Sequence, residues 1–182
     1  MIPVKVLKIS YHPTSRSYAV ILKEITGQRC LPVIVGSFEA QSIALAIEVV
    51  ETPRPLTHDL ICDFITAVDV SLKSVKINNV IDGVFFAQIE LLSDNLGEKI
   101  IDARPSDAIA VALRMDTPIF VSKKVFNEAS IDEGSLVQET RSEHKTSKIS
   151  LKALKDKMKK AIEEEEYEVA AKLRDKISKF EI

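Results

Sequence analysis

Apolar and polar residues alternate from Val4 to Ile9, with Val4, Val6 and Ile9 set against Lys5 and Lys8, and alternate again from Tyr18 to Ile25. A period of two is that of a strand with one buried face, so the chain predicts two strands and a hairpin across His12 to Ser17. Residues 26–29 read as a turn, and the mostly apolar run Cys30 to Val35 predicts a strand buried on both faces. At Gly36 and Ser37 the period becomes helical. Ser37 can cap this helix, Glu39 lies in its first turn, and Ile43, Ala44, Ile47 and Val50 share a stripe that stops before Pro53. A second helix is expected from the cap Thr57, with Leu60, Ile61, Phe64, Ile65 and Val68 as its apolar stripe.

Residues 72–80 and 84–92 read as strands joined across Asp82-Gly83, a pair that tolerates the positive φ of a tight hairpin. A turn at 94–97 leads to a third strand at 99–103, completing an antiparallel meander. Arg104-Pro105-Ser106-Asp107 opens a third helix whose inner side is Ile109, Ala110 and Leu113, and residues 118–121 form a last strand. The pattern predicts an α+β fold: a mixed, largely antiparallel sheet with three core helices. Beyond Ile131 the chain turns polar and charged, as a linker does. From Ile149 helical periodicity returns: Leu151, Leu154, Met158, Ala161 and Ile162 mark one helix, and Tyr167, Ala170, Ala171, Leu173, Arg174, Ile177 and Phe180 a second. Neither is long enough to persist alone. The expected organisation is a core over 1–131, a linker over 132–148 and a C-terminal two-helix hairpin over 149–182.

The 182 residues are 46% apolar and 29% charged, which is globular composition, and the net charge of -2 provides no general attraction for nucleic acid. Any contact with RNA or DNA has to be local. Cys30 and Cys62 lie inside apolar runs without metal-site or redox spacing, so buried thiols in a reducing compartment are expected. The opening MIPVKVLKIS lacks a basic region followed by a long apolar stretch, and no window holds 18 uncharged apolar residues. A cytoplasmic protein with no membrane segment is the expectation.

Two segments share an arrangement: Arg54-Pro55-Leu56-Thr57-His58-Asp59 and Arg104-Pro105-Ser106-Asp107. In each, an Arg-Pro pair precedes a helix start bearing a hydroxyl and then an aspartate. Free N–H groups at a helix start, with an arginine beside them, can hold a phosphate, which makes Arg54 and Arg104 candidates for phosphate binding. The plainer alternative is that Thr57 and Ser106 are caps, while Asp59 and Asp107 favour the helix dipole and pair with the arginines. His58 beside Asp59 has the chemistry of a general base, or of a capping residue only. His58, Asp59 and Asp107 are the catalytic candidates, and Asp59, Asp102 and Glu39 are the carboxylates available to Mg²⁺ or Mn²⁺. No Gly-rich phosphate loop, HExxH or GxSxG occurs.

LPVIVGSFEA (31–40), RPLTHDL (54–60), GVFFA (83–87) and IDARPSDAIAVALR (101–114), in this order, resemble the bifunctional nuclease domain family over about residues 1–130. Phe86 stands where that family often has tyrosine. The tail, with Tyr167, Ala170, Ala171, Leu173 and Arg174, resembles the UVR hairpin through which excision-repair nuclease subunits associate. The resemblance implies an α+β core forming a homodimer, activity on RNA and DNA as in the characterised plant relatives, and a protein partner bound through the hairpin. It assigns no catalytic set to these positions. Two functions stand at this point: a nuclease hydrolysing phosphodiester bonds, and a non-catalytic dimeric module that displays the hairpin to a partner.

Overall fold

A computed structural model describes residues 1–12, 17–95, 97–134 and Met158. The chain divides into two units, Met1–Glu133 and Gly134–Ile182. Apart from Met158, the expected hairpin over 149–182 lies outside the described residues, including Tyr167, Ala170, Ala171, Leu173 and Arg174.

The alternating N-terminal runs form β1 (Ile2–His12) and β2 (Ser17–Glu24), paired antiparallel, and β2 pairs in turn with β3 (Arg29–Val35). The meander expected after residue 70 is β4 (Val70–Ile81), β5 (Val84–Ser93) and β6 (Gly97–Ala103). Its first turn places Asp82 at φ 50° and Gly83 at φ 77°, the doubly left-handed pair that follows the twist of a hairpin. These two antiparallel groups are joined by one short strand, β7 (Ile119–Val121), which runs parallel to β4 and antiparallel to β1. A further two-residue strand, β8 (Ile131–Asp132), pairs with β3. The result is one eight-stranded sheet of order β6-β5-β4-β7-β1-β2-β3-β8, mixed and largely antiparallel as expected. Glu133 still donates its N–H to Gln28 O at 3.0 Å, so pairing runs past the expected core boundary at 131.

Among the described residues the core helices are α1 (Ser37–Ile47), α2 (Thr57–Ala67), α3 (Pro105–Arg114) and α4 (Lys123–Ala129), four in place of the expected three. The seven residues of α4 span two turns, too few for a helical period to show, and only Val125 and Phe126 are buried. Ser122 caps it by accepting the Val125 N–H at 3.2 Å. α3 is buried almost all round, from Ala108 to Ala112, because α1 and α2 cover it on one side and β4 and β5 on the other. Its alanines at 108, 110 and 112 keep it thin enough for this. Val20, Leu22, Leu31, Ile43, Val75, Ile77, Ile109, Val121 and Phe126 form one continuous core.

Several sequence expectations change. The residues that cap α1, α2 and α3 are Gly36, Leu56 and Arg104, each one position or more before the hydroxyl residues expected to do so. A Cβ at Gly36 would lie 2.5 Å from Glu39 Oε2, so a larger residue there would have to displace the Glu39 carboxylate. β3 is buried on both faces only at its beginning, since Ile34 is exposed near its end. The apolar stripe of α2 is not core. Ile65 alone is buried, and Leu60, Ile61, Phe64 and Val68 are exposed, because the side of α2 turned to the rest of the core carries His58, Asp59, Cys62 and Ile65 instead. Among the described residues no helix is long and apolar enough to cross a membrane.

Three helices end on a left-handed residue that is not glycine: Val49 (φ 51°), Asp69 (φ 54°) and Asp116 (φ 48°). Aspartate tolerates this conformation, whereas a β-branched side chain clashes with its own backbone there. Val49 nevertheless closes α1 in a Schellman arrangement, with Val50 N–H bonded to Leu45 O at 3.0 Å and Val49 N–H to Ala46 O at 3.4 Å. Its side chain is 82% exposed, so no burial offsets the strain. Val49→Asn is therefore expected to raise folding stability by about 1 kcal/mol, read as a higher urea midpoint with an unchanged slope. An unchanged or lowered midpoint would show that Val49 makes a compensating contact.

Candidate functional site

Three helices bring their polar residues together. α3 contributes its cap Arg104, Asp107 in the first turn and Arg114 in the last, α1 contributes Glu39 and Ser42, and α2 contributes His58 and Asp59. These residues form two hydrogen-bonded groups that meet at Ser42.

The inner group is structural. Arg114, 11% exposed, donates through Nε to Asp59 Oδ1 at 2.6 Å and through Nη1 to the carbonyls of Ser42 at 3.1 Å and Ala110 at 3.0 Å. The other Asp59 oxygen accepts the Leu56 N–H at 2.8 Å, which satisfies one of the free donors at the start of α2. The Arg114 hydrogen bond, followed by that of Leu56, holds the Asp59 carboxyl below the usual carboxylate range. Asp59 is thus occupied in tying α2 to α3.

The outer group faces solvent. Arg104 donates through Nε to Asp107 Oδ2 at 2.8 Å, through Nη2 to Asp107 Oδ1 at 3.0 Å and through Nη1 to Glu39 Oε1 at 3.1 Å. His58 lies between Asp107 and Ser42: its Nε2 is 3.3 Å from Asp107 Oδ1 and its Nδ1 is 2.8 Å from Ser42 Oγ. Burial pushes the Asp107 carboxyl up, but the hydrogen bonds and charges of Arg104 and His58 outweigh it and leave the group below its ordinary value. Asp107 is therefore an ionised acceptor. In the neutral imidazole the ring proton then belongs on Nε2, and Nδ1 accepts the Ser42 hydroxyl. Both nitrogens of His58 are engaged, so the proton within its reach is the one on Ser42.

A cleft of about 590 Å³ opens over this group, lined by the polar Glu39, Gln41, Ser42, Thr57, His58, Arg104 and Asp107 and by the apolar Phe38, Leu45, Leu56 and Ile61. A second hollow of about 340 Å³, between the end of β3, the β4–β5 turn and the start of α3, shares Glu39 and Arg104 with it. The Glu39–Arg104 pair thus forms a ridge between the two. Arg104 is 67% exposed, and the three bonds above use three of the five donors of its guanidinium.

Of the residues singled out from the sequence, His58, Asp107, Arg104 and Glu39 come together. Asp59 belongs to the inner group, and among the described residues Arg54 and Asp102 join neither group. Arg54 is exposed before α2, lines neither hollow and pairs through its side chain with no described residue. Asp102 is exposed on the edge strand β6, opposite Gln88. Among the described residues no three His, Cys, Asp or Glu side chains converge as metal ligands. Glu39, Asp59 and Asp102 accordingly do not make a joint site for Mg²⁺ or Mn²⁺, and the space between Glu39 and Asp107 is taken by the Arg104 guanidinium. Ser42 and Arg114 are the residues that sequence reasoning missed. The only signal was a serine beside the apolar stripe of α1 and an arginine closing an otherwise apolar helix.

Because Asp59 and Asp107 titrate below their ordinary values, their ionised forms stabilise the fold fully above the unfolded carboxyl pKa, and that stabilisation is lost as pH falls through the lowered folded values. The urea midpoint is expected to fall steeply below about pH 4. Arg114→Met should be destabilised by ~1–3 kcal/mol at pH 7, discounted for the partly exposed Asp59, and the gap to wild type should narrow as pH falls below about pH 4. A gap that is constant with pH would mean that Arg114 acts by packing alone.

Residues 20–134 match the bifunctional nuclease domain, and residues 148–182 match the UvrB/UvrC motif. The chain is 41% identical over 128 residues to an uncharacterized protein of Mycobacterium tuberculosis, covering 70% of this chain and 76% of that one. It is 28% identical over 181 residues to bifunctional nuclease 1 of Arabidopsis thaliana, and 28% identical over 193 residues to bifunctional nuclease 2 of the same plant. These matches cover 89% and 94% of this chain but only 56% and 57% of the plant proteins, so the chain spans little more than half of their length. Every residue of the hydrogen-bonded groups, from Glu39 to Arg114, lies inside the domain match. The chain belongs to the bifunctional nuclease domain family, and the UvrB/UvrC motif follows that domain.

Proposed function

We propose that the cleft hydrolyses phosphodiester bonds of RNA or DNA in the cytoplasm. The observation that carries this is His58 held by Asp107 on one nitrogen and by the Ser42 hydroxyl on the other. Water attacks phosphorus and gives its proton to Ser42 Oγ, while Ser42 passes its own proton to His58 Nδ1. The bond from phosphorus to the leaving oxygen breaks, and the imidazolium returns its proton to that oxygen through Ser42. Asp107 orients the ring and stabilises its charged form, as a carboxylate does for a catalytic histidine. The two unused donors of Arg104 neutralise the phosphoryl oxygens as charge builds on them. Mg²⁺ or Mn²⁺ has no assigned place here, since Glu39 and Asp107 are bound to Arg104 and Asp59 to Arg114.

The test is cleavage of labelled single-stranded RNA and DNA by the full chain, in EDTA and in Mg²⁺ or Mn²⁺. His58→Ala and Ser42→Ala are each expected to lower the rate at least ~100-fold while the chain remains folded at the assay temperature. Rates equal to wild type in both variants would remove the cleft from the reaction.

One observation favours a second, non-catalytic role. The outward face of α2 carries Leu60, Phe64 and Val68, with Phe64 67% exposed, on a helix that buries only Ile65. A second copy of the chain would cover this face, and the dimer would carry two copies of the C-terminal segment, whose Tyr167, Ala170, Ala171, Leu173 and Arg174 would bind a protein partner. Phe64→Glu is then expected to shift the sedimenting species from dimer to monomer while changing chain stability by less than ~0.5 kcal/mol. A wild-type chain that sediments as a monomer at micromolar concentration would exclude this role for α2.

A further inference from the structure

We infer that the cleft takes single-stranded nucleic acid, with one base stacked on Phe38 and the neighbouring phosphate against Arg104. This rests on the cleft being a phosphodiester site, and it names the form of substrate that the site accepts.

Phe38 is the second residue of α1, next to the Arg104 partner Glu39, and it lines the same cleft as His58 and Asp107. It is 83% exposed, so the ring contributes almost nothing to the core. An aromatic side chain lining the cleft offers a flat face of the size of a base. Leu45, Leu56 and Ile61 are the other apolar residues of the lining.

The charge balance gives the ring its importance. Glu39 and Asp107 flank the single guanidinium of Arg104, and the chain as a whole carries -2. Phosphate attraction is therefore weak, and affinity must come largely from a contact that needs no positive charge. Stacking on an aromatic ring is such a contact, and it tolerates any base because every base has a π-face. In a duplex those faces are covered by neighbouring bases and only edges are presented, so Phe38 can be reached only by a base in a single strand or loop.

The experiment is fluorescence anisotropy of the full chain with a labelled ten-nucleotide oligo-dT, the same oligomer with abasic sites throughout, and a ten-base-pair duplex. Phe38→Ala is expected to weaken oligo-dT binding by a factor between about five and a hundred, and Phe38→Trp to restore it. The abasic oligomer and the duplex should bind more weakly than oligo-dT to wild type, and Phe38→Ala should not weaken the abasic oligomer further. The slope of log K against log salt for oligo-dT should be shallow, near -1, as for one or two phosphate contacts on a single strand at about -0.7 each. Equal oligo-dT binding by wild type and Phe38→Ala, or a steep salt slope, would overturn stacking. If cleavage in that case still depended on His58, the phosphodiester site itself would stand. No binding of any oligomer at low salt, together with no cleavage, would bring down both.

Discussion

Arg114 ends α3, and its guanidinium bonds at once to a carboxylate of α2, a main-chain carbonyl of α1 and a carbonyl of its own helix. Those bonds set where α1 and α2 stand relative to the buried helix between them and the sheet. A planar donor with fixed angles suits this task, because it satisfies several acceptors in one plane while its charge is neutralised by a single carboxylate. The cleft depends on this frame. Ser42 is placed by its carbonyl on Arg114 and His58 by its neighbour Asp59, so the residues facing solvent inherit their positions from the contact beneath them.

The second constraint is the three-residue strand β7. It links the β1–β2–β3 group to the β4–β5–β6 meander, and it follows α3 directly. The chain must therefore leave β6, cross over the sheet as α3 and return into the middle of it. That path buries α3 and explains why it is small and aliphatic from Ala108 to Leu113, with Asp107 and the two arginines toward its ends. The arginines lie at its ends because only the ends reach solvent or another polar group.

The site is electrostatically balanced. Two carboxylates surround Arg104, one carboxylate serves Arg114, and the histidine is hydrogen-bonded on both sides. Such an arrangement favours fixed geometry over strong attraction of an anion. Membership of a nuclease family thus coincides with a cleft whose exposed guanidinium, Arg104, is already paired with two carboxylates, and whose lining includes the exposed Phe38.

Most of the strands, α1 to α3 and the tight turn at Asp82-Gly83 were legible in the sequence, because alternation, helical period and turn chemistry are local properties that neighbouring residues express together. His58, Arg104 and Asp107 were legible for a similar reason: they sit at helix starts, where polar residues have a recognisable pattern. The length of α4 hid it, since Val125 and Phe126 alone do not make a period. The stripe of α2 was visible, but whether it faced the core or the outside depended on how far α3 and the sheet extend beneath it. Nothing local distinguishes Ser42 or Arg114 from ordinary helical residues, because their partners lie 16 and 55 residues away in the chain. Asp59 and Asp107, so alike in local sequence, serve different groups for the same reason: local sequence determined that each would begin a helix as a carboxylate, and only the crossing of three helices decided which cation or imidazole each would meet.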